Sequence, residues 1–409
     1  MGESAETFSE SDTIRSATKK PRISGVAAPA VRRCTRCLCD DEIPAITFDA
    51  AGVCNYCMVH DRMDAENPTG PEGQRRFEAM VREIREAGRG RPFDLIIGVS
   101  GGCDSTYMLY KAREYGLRPL AVHFDNTWNS ATATANIHRV LRKLDIELYT
   151  HVVDNGEYDE ILRAFLLSGT PDIECPTDIG LAATLFRAAE KYRIPFQWEG
   201  HSFRTEGIHP LGWVYMDQKY IADVVSKHAR RPVSFETYPT LWLREQLKWM
   251  LVGRIKKIRP LYHLDYHKEE AKNFLSKELS WKWYGGHHLE NRYTAFFHSW
   301  YFPRRYGRDI RAIADSARVR SGQLTREEGL KVISEPIKVD PQTIELVKRR
   351  LALTDADLER ILRAPHKTFH DYATYKPTFE RMRPFFWAMA KLQLVPWSFY
   401  IKYTSKSTI

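Results

Sequence analysis

Short apolar runs alternate with amphipathic segments through the first half of the sequence. Runs rich in branched and aromatic residues predict buried strands at 93–99, 120–124, 147–153 and 196–199. Apolar positions at helical spacing predict helices at 77–88, 104–115, 136–144, 161–168 and 179–192. Strands that alternate with helices of this length predict an α/β fold, with a doubly wound parallel sheet covered by helices on both faces.

The alternation fades after about Gly200, and the later sequence is aromatic and mostly helical in pattern. Seven of the ten tryptophans lie between positions 198 and 300. Threonine followed three residues later by an acidic residue, at 325–328 and 354–357, predicts two late helix starts. A second, mostly helical domain is therefore expected after the sheet.

The chain is predicted to divide into four segments. We expect a disordered tail over 1–30, a cysteine module over 31–70, the sheet domain over 75–215, and an aromatic-rich helical domain for substrate and partner over 216–409. The prolines and glycines between positions 68 and 73 predict a linker between the second and third segments.

Charge and composition narrow the classes of function. Lysine and arginine number 61 against 52 aspartate and glutamate, so the net charge of +9 favours anionic partners. No run of apolar residues is long enough to span a membrane. The first thirty residues lack the apolar core of a secretory signal, and the cysteines are clustered rather than dispersed as in disulfide frameworks, so a cytoplasmic location is expected.

Four cysteines have the spacing of a metal site. Cys34 and Cys37 form one pair, Cys54 and Cys57 form another, and sixteen residues separate the pairs. Four thiolates at this spacing fit a structural Zn²⁺ and leave no open position for a catalytic water. Cys39 is an alternative ligand to Cys37.

The strongest chemical signal is the turn Ser-Gly-Gly-Cys-Asp-Ser over 100–105, between a predicted strand and a predicted helix. Gly101 and Gly102 allow the backbone to approach an anion, and the helix N-terminus offers free N–H groups. The turn therefore predicts a phosphate site, without the lysine of a Walker A loop. Asp104 would need a neutralising cation beside a phosphate, and Mg²⁺ is the simplest choice.

A second polar loop follows the fourth predicted strand, at 199–207. Gly200, His201, Arg204 and Glu206 lie in it, on the edge of the sheet where ligands bind in parallel α/β folds. Asp178, near the lone Cys175, is either an active-site residue or a helix cap. For the loop 199–207, the structural alternative to a functional site is a polar turn.

The segment 281–292 combines aromatic residues, glycines and hydrogen-bond donors. Its aromatic rings could stack on a base or a sugar, and Arg292 could meet a diphosphate. We predict sugar or acyl contacts from His287, His288, Asn291 and Arg292, against turn formation and packing as the alternative.

The turn at 100–105 resembles the SGGxDS loop of the PP-loop ATP pyrophosphatase superfamily. Longer motifs, in order at 34–57, 120–130, 176–178, 200–208, 282–292 and 320–328, resemble the N-acetyl sugar amidotransferases of bacterial surface-glycan biosynthesis. The resemblance covers residues 34 to about 334. The tail and the last seventy residues are weakly covered.

The resemblance implies an enzyme that uses ATP and Mg²⁺. It would adenylate the N-acetyl oxygen of a nucleotide-activated sugar and let ammonia displace AMP, giving an acetamidino sugar for surface glycan such as the O-antigen of lipopolysaccharide. The implied ATP-binding residues are Ser100, Gly101, Gly102, Asp104, Ser105, His123, Phe124, Asp125, Asn126 and Gly200. The implied catalytic residues are Asp104, His201, Arg204 and Glu206, with Asp104 also binding magnesium.

The sequence contains no evident glutaminase, so ammonia would have to come from a partner. By resemblance, that partner would be a pair of glutaminase and cyclase-like subunits similar to those of imidazole glycerol phosphate synthase. No nucleic acid partner is expected. Two other functions remain open at this point. The first is a PP-loop enzyme that thiolates tRNA, for which Cys103 and Cys175 are the available thiols. The second is a non-catalytic nucleotide-binding scaffold that carries zinc.

Overall fold

The computed structural model describes residues 31–210, 214–286, 289–392, 395 and 397–404. The predicted tail over 1–30 and the two histidines His287 and His288 lie outside these residues. Five strands form the sheet, in chain order β1 (Leu95–Gly98), β2 (Pro119–Asp125), β3 (Leu148–Val152), β4 (Phe196–Trp198) and β5 (Lys256–Ile258).

Helices fill most of the remaining described chain. The first six are α1 (Asn55–Glu66), α2 (Gly70–Ala87), α3 (Cys103–Glu114), α4 (Ala131–Leu144), α5 (Asn155–Leu167) and α6 (Cys175–Tyr192). The next six are α7 (Gln218–His228), α8 (Leu243–Leu251), α9 (Lys268–Leu279), α10 (Arg292–Phe296), α11 (Phe302–Tyr306) and α12 (Arg311–Arg320). The last six are α13 (Arg326–Ser334), α14 (Pro341–Leu351), α15 (Asp355–Arg363), α16 (Lys376–Arg381), α17 (Arg383–Lys391) and α18 (Trp397–Thr404).

All strand pairings in the sheet are parallel, and the spatial order is β3-β2-β1-β4-β5. The predicted α/β class, with its parallel sheet and helical C-terminal region, is confirmed. Four strands match the predicted ones to within a few residues. The fifth strand was not predicted, because three residues reading Lys-Lys-Ile carry no apolar run.

Side chains of β1 alternate between two cores, as a sheet with two covered faces requires. Leu95 and Ile97 pack with apolar residues of α2 and α3, whereas Ile96 packs with Leu185 of α6. Burial of each aliphatic side chain contributes about 1.5–3 kcal/mol, so both layers hold the central strand in place. The loops at its carboxyl end are thereby fixed at a rigid edge.

The strand order reverses at β1, which lies between β2 and β4. In open α/β sheets the crevice at such a reversal is where ligands bind. The turn 100–105 follows β1 and the loop 199–207 follows β4, so both predicted polar segments flank this point.

The stretch predicted as a linker near residue 70 is instead the start of a helix. Helix α2 begins at Gly70 with Pro71 in its first turn, a position where proline loses no hydrogen bond. Gly73 packs tightly there, since a Cβ atom would lie 2.3 Å from the carbonyl oxygens of His263 and Pro68. The glycines and prolines serve a helix start and a close contact, and the domain boundaries stay a prediction.

The capping boxes at the late helix starts are confirmed. The Thr325 hydroxyl accepts from the Glu328 N–H at 3.2 Å, and the Glu328 carboxylate accepts from the Thr325 N–H at 2.9 Å. Thr354 and Asp357 form the same reciprocal pair at the start of α15. Within the described residues, no helix has both the length and the apolar character needed to cross a bilayer.

Candidate active site

The turn 100–105 holds its shape because only glycine fits at its bend. Gly101 has a φ of +81°, and a Cβ atom there would lie 2.3 Å from the carbonyl oxygen of Ala133. The indole of Trp281 donates to the Gly101 carbonyl at 2.9 Å, which pins the turn from the opposite side. Helix α3 starts directly after Gly102, so its first N–H groups are available to an anion.

Asp104 lies in the first turn of α3 and forms an ion pair that the sequence did not predict. Its carboxylate accepts from the Lys268 ammonium at 2.9 Å and from the Tyr266 hydroxyl. Burial opposes ionisation of Asp104, but Lys268 and the hydrogen bonds hold its pKa below the usual range. Despite the burial of Lys268, the facing carboxylates raise its pKa. Asp104 is therefore a carboxylate at neutral pH.

Glu206 meets the same ammonium. Its carboxylate lies 4.0 Å from the Lys268 nitrogen and within hydrogen-bonding reach of Asp104. The sequence predicts Mg²⁺ as the cation that neutralises Asp104, whereas in the structure Lys268 supplies a positive charge there. Two carboxylates that converge on one cation also form the hard oxygen set that suits Mg²⁺, so Asp104 and Glu206 fit the predicted metal.

The loop 199–207 packs directly on α3. A Cβ atom on Gly200 would lie 3.3 Å from the Asp104 backbone carbon and 3.4 Å from the Ser105 nitrogen. The absence of a side chain at Gly200 therefore lets the loop that carries His201 and Glu206 approach the phosphate turn. The two polar segments form a single site.

His201 is held between an acid and a hydroxyl. Its Nε2 lies 3.8 Å from the Glu206 carboxylate, and the Tyr262 hydroxyl lies 3.3 Å from its Nδ1. Burial, with the nearby Arg259 guanidinium, lowers the pKa of His201 to about 4. The imidazole is therefore neutral at physiological pH and lies beside Glu206 without adding charge.

Arg204 is buried and bonded entirely to protein. Its guanidinium donates to the Asp64 carboxylate at 2.7 Å, the Tyr262 carbonyl at 2.8 Å and the Asn67 carbonyl at 2.7 Å. These contacts tie the loop 199–207 to the end of α1. The predicted role of Arg204 at a developing charge stays a prediction, while the observed contacts make it an anchor of the loop.

The end of β2 builds the wall beside the turn. His123 donates from Nδ1 to the Val99 carbonyl at 2.9 Å, and its Nε2 faces the Asn129 amide at 3.2 Å. Asn126 accepts from the amide of Asn291 at 3.2 Å. The burial that accompanies these contacts lowers the pKa of His123.

Of the two residues between His123 and Asn126, Asp125 shapes a loop and Phe124 packs in the core. Asp125 accepts from the N–H of Thr127 at 2.9 Å and so shapes the loop after β2. Phe124 is buried in the core and touches Gly180 of α6, so its side chain serves packing. Asp178 lies exposed in the first turn of α6. A direct contact of these residues with nucleotide or sugar stays a prediction.

The segment 281–292, from the C-terminal half of the chain, covers the turn 100–105. A Cβ atom on Gly102 would lie 3.2 Å from a Glu290 carboxylate oxygen and 3.3 Å from the Tyr284 hydroxyl. Burial and the Glu290 carboxylate raise the pKa of Tyr284 strongly. The residues at 129 and 291 form an antiparallel bridge, and the N–H of Ser130 donates to the Glu290 carbonyl at 2.7 Å. Tyr284 is one of the aromatic residues predicted to stack on a base or a sugar, whereas the sequence did not indicate a role for Glu290.

The predicted contacts of this segment divide into three groups. Asn291 caps α10 by accepting from the N–H groups of the next turn, and Arg292 donates to Asp340 at 3.1 Å. Trp281 is buried beneath the turn, whereas Trp283 is exposed and its ring contacts Lys272 and Tyr284. His287 and His288 lie outside the described residues.

The four predicted zinc ligands converge on one point. Three sulfur separations are 3.9 Å for Cys34 to Cys57, 3.6 Å for Cys37 to Cys54 and 3.6 Å for Cys54 to Cys57. Tetrahedral bonds of about 2.3 Å to Zn²⁺ require sulfurs about 3.8 Å apart, so the cluster fits the metal. All four side chains are buried, as a structural site requires.

An arginine from α12 covers this cluster. Arg320 donates to the sulfurs of Cys57 at 3.3 Å and Cys37 at 3.1 Å, and it also reaches Cys39 at 3.2 Å. Four thiolates around Zn²⁺ carry a net charge of about −2, which the guanidinium partly neutralises. Cys39 pairs with Arg320 and Ser316 instead of joining the group of four.

The two remaining thiols are poorly suited to carry sulfur. Cys103 is buried with its sulfur 3.5 Å from the Tyr266 hydroxyl, and burial raises its pKa to about 12. Cys175 is fully buried and its pKa is raised as well. A reactive carrier needs an accessible thiolate, which neither position provides.

Comparison with known proteins adds three findings. Residues 290–386 match the family described as "LPS biosynthesis protein WbpG-like, C-terminal domain". The chain is 30% identical over 129 residues to the tRNA-specific 2-thiouridylase MnmA of Serratia proteamaculans (strain 568), and 29% identical over 130 residues to MnmA of Photorhabdus laumondii. Each match covers 28% of this chain, and only 35% of the relative.

A solved structure is similar at lower identity. The NMN synthetase of Francisella tularensis aligns with a TM-score of 0.30 and 15% identity, over 72% of this chain and 98% of the other.

Proposed function

We propose that this chain is an ATP-dependent N-acetyl sugar amidotransferase of the PP-loop ATP pyrophosphatase superfamily. Two similarities support the proposal: residues 290–386 match the WbpG-like C-terminal domain of LPS biosynthesis proteins, and part of the chain is similar to tRNA thiouridylases. One observation carries the proposal. Glu290, at the start of the WbpG-like domain, lies with Tyr284 against the phosphate turn at Gly102. The turn predicted to bind phosphate therefore lies against the first residue of the WbpG-like domain, which supports the proposal.

The proposed reaction has to overcome the low reactivity of an amide carbonyl. An N-acetyl group is a poor electrophile because amide resonance stabilises its carbonyl. In the proposed first step the acetamido oxygen bonds to the α-phosphorus of ATP, the bond to the β-phosphate oxygen breaks, and pyrophosphate leaves. Ammonia then adds to the activated carbon, AMP departs with the former acetamido oxygen, and the surplus protons pass to solvent. The product is an acetamidino sugar.

Different residues of the candidate active site would bind the phosphates and the metal in this reaction. Backbone N–H groups of the turn, with Ser100 and Ser105, would hold the pyrophosphate portion of ATP. Asp104 and Glu206 would bind Mg²⁺, which would neutralise phosphate charge. Lys268 forms an ion pair with Asp104 and lies 4.0 Å from Glu206, so it would hold the two side chains in position.

The source of ammonia is part of the proposal. The sequence shows no evident glutaminase, and both free thiols outside the cysteine cluster are buried. We propose that glutaminase and cyclase-like partner subunits supply ammonia. The isolated protein should then form product with ammonium and none with glutamine; product from glutamine by the isolated chain would refute the need for a partner.

The matches to tRNA thiouridylases make tRNA thiolation the second candidate. A thiolating enzyme needs a reactive cysteine, and the burial of Cys103 and Cys175 argues against it. The ordered ion pair of Asp104 and Lys268 argues in turn against a scaffold without catalysis.

One comparison of substrates separates these readings. The purified protein would receive ATP and Mg²⁺ with either UDP-N-acetylglucosamine and ammonium, or bulk tRNA and a sulfide donor. Chromatography would detect AMP and pyrophosphate, and mass spectrometry would detect a sugar in which NH replaces one oxygen. AMP formation with tRNA alone would favour thiolation, ADP in place of AMP would refute the proposed chemistry, and no turnover with either would favour the scaffold.

A further inference from the structure

A cleft opens beside the candidate active site, between the loop 127–131 and helix α14. Its volume is about 560 Å³, within the range of small-molecule sites. The loop forms one wall, the segment 341–350 forms the opposite wall, and Arg292 lies between them. None of the residues predicted for ATP binding lines this cleft, so it is separate from the phosphate turn.

Three arginines line the cleft, but they differ in what they already bind. Arg350 is committed to structure, since it binds both oxygens of Asp159 and lies 4.0 Å over the ring of Trp128. Arg292 uses one nitrogen for Asp340 and Thr343. Arg349 is exposed and makes no side-chain hydrogen bond or ion pair within the described chain.

The two arginines with spare donors give the cleft its chemistry. In Arg292 the Nε and Nη2 groups have no partner in the described part of the protein, and all the donors of Arg349 are available. Glu345, the acid in the lining, is already paired with Lys348 at 2.7 Å. Planar guanidinium groups with open donors bind phosphate in a bidentate manner, and two of them match the two charges of a diphosphate.

The wall that faces the active site is shared with it. Asn129 lines the cleft and contacts His123 at the end of β2, while Ser130 bonds to the Glu290 backbone. Three residues after Ser130, in the first turn of α4, the Ala133 carbonyl packs on Gly101 of the phosphate turn. A ligand in the cleft is therefore separated from the phosphate turn only by the loop 129–131.

On the basis of the proposed function, we propose that this cleft binds the diphosphate of the nucleotide-activated sugar through Arg292 and Arg349. The sugar and its acetamido group then extend across the loop 129–131 toward the phosphate turn. In this arrangement Arg349 selects a diphosphate-linked sugar over the free sugar, which carries no charge. The amino ends of α4 and α14, both in the lining, add positive potential for the same anion.

The test measures binding directly, so it does not depend on turnover. Calorimetric titration of the full chain with UDP, with the ATP site saturated by a non-hydrolysable ATP analogue, would compare wild type with Arg349→Ala and Arg349→Glu. We expect the Kd for UDP to rise at least about tenfold in Arg349→Ala and further in Arg349→Glu, since a charge-assisted hydrogen bond is lost. The Kd for the ATP analogue, measured separately, should not change.

Arg363→Glu is the matched control, because Arg363 is an exposed arginine of α15 outside the cleft. It should leave UDP binding unchanged. Circular dichroism on each variant separates a binding defect from a folding defect.

The outcomes separate this inference from the proposed function. If wild type forms AMP with UDP-N-acetylglucosamine while both Arg349 variants bind UDP as wild type does, the cleft assignment is wrong and the proposed function stands. If wild type forms no AMP with the sugar and the Arg349 variants lose binding of tRNA instead, the cleft serves nucleic acid, and both proposals are overturned. Absence of any UDP binding by wild type also overturns the cleft assignment.

Discussion

Lys268 donates from its ammonium to the Asp104 carboxylate across 2.9 Å, although 164 positions separate them in the chain. The first residue of α9 thereby fixes the charge of a residue in the phosphate turn. Tyr266, two residues earlier, bonds to the same carboxylate. The segment before α9 is thus part of the candidate active site, and the pair provides the first prediction.

Replacement of Asp104 by Asn should impair both activity and stability. AMP formation should fall by at least about a hundredfold, because a group that orients charge in the transition state is lost. The free energy of unfolding should fall by up to about 3–5 kcal/mol, because the buried Lys268 loses its nearer carboxylate and keeps only Glu206, at 4.0 Å. Coupled assays of pyrophosphate release and urea unfolding would measure the two effects.

The double variant D104N/K268M distinguishes the two roles. Removal of the buried ammonium should restore much of the stability while AMP formation stays lost. Full turnover in D104N would exclude Asp104 from the mechanism. A double variant no more stable than D104N would show that the ion pair is not the source of the stability loss.

Gly101→Ala should abolish ATP binding and destabilise the protein. Alanine at a φ of +81° costs about 1 kcal/mol, and its Cβ atom would also clash with the Ala133 carbonyl at 2.3 Å. Gly90→Ala is the matched control, since Gly90 has a φ of +74° but nothing within 4 Å of the added atom. Calorimetry with an ATP analogue should show loss of binding in Gly101→Ala only. Equal binding by both variants would contradict a tight turn at Gly101.

Arg320→Met should weaken the metal site without removing a ligand. The guanidinium donates to thiolate sulfurs, and loss of such an outer partner lowers metal affinity about 10–100-fold. Competition with a zinc-binding dye would measure the affinity, and elemental analysis of wild type should give one zinc per chain. Arg326→Met, which removes only a hydrogen bond to the Cys34 carbonyl, serves as a control. Unchanged zinc affinity in Arg320→Met would contradict the role assigned to Arg320.

Asp172 should make stability depend on pH. Burial raises its pKa from 3.8 to about 7, although Tyr215 and Tyr220 donate to it. Between these values the unfolded chain has released the proton that the folded chain still holds. Stability should therefore decrease as the pH rises from about 4 to about 7, by up to about 1.4 kcal/mol per pH unit, and level off above.

Asp172→Asn tests this directly, because the amide stays uncharged at every pH. The difference in free energy of unfolding between wild type and variant should change across pH 4 to 7 and remain constant from pH 8 upward. Urea unfolding at each pH would supply the values. A difference that is constant over the whole range would contradict the raised pKa.

The sequence predicted those features that neighbouring residues determine. Four strands follow from apolar runs, the phosphate turn follows from two glycines between strand and helix, and the cysteine cluster follows from its spacing. Each of these patterns lies within about 25 consecutive residues, so it can be recognised from the sequence without knowledge of distant contacts.

Features that depend on distant contacts could not be predicted in this way. Lys268 reads as one more lysine at a helix start, and Glu290 as one more polar residue of a loop, until the fold brings both to the turn. Arg204 was selected for its position after β4, but its partners come from α1 and from the loop before α9. Side chains recruited over long separations carry no signature in a single sequence.

The position of Arg320 has a consequence for biosynthesis. It lies 263 residues beyond Cys57, so a ribosome completes the cysteine segment long before the cation that covers it exists. In the interval the four thiols face solvent without their charge partner, exposed to oxidants and to competing metals. We expect secure zinc retention to mark the end of folding, so zinc content in a pulse-labelled chain would report maturation rather than synthesis.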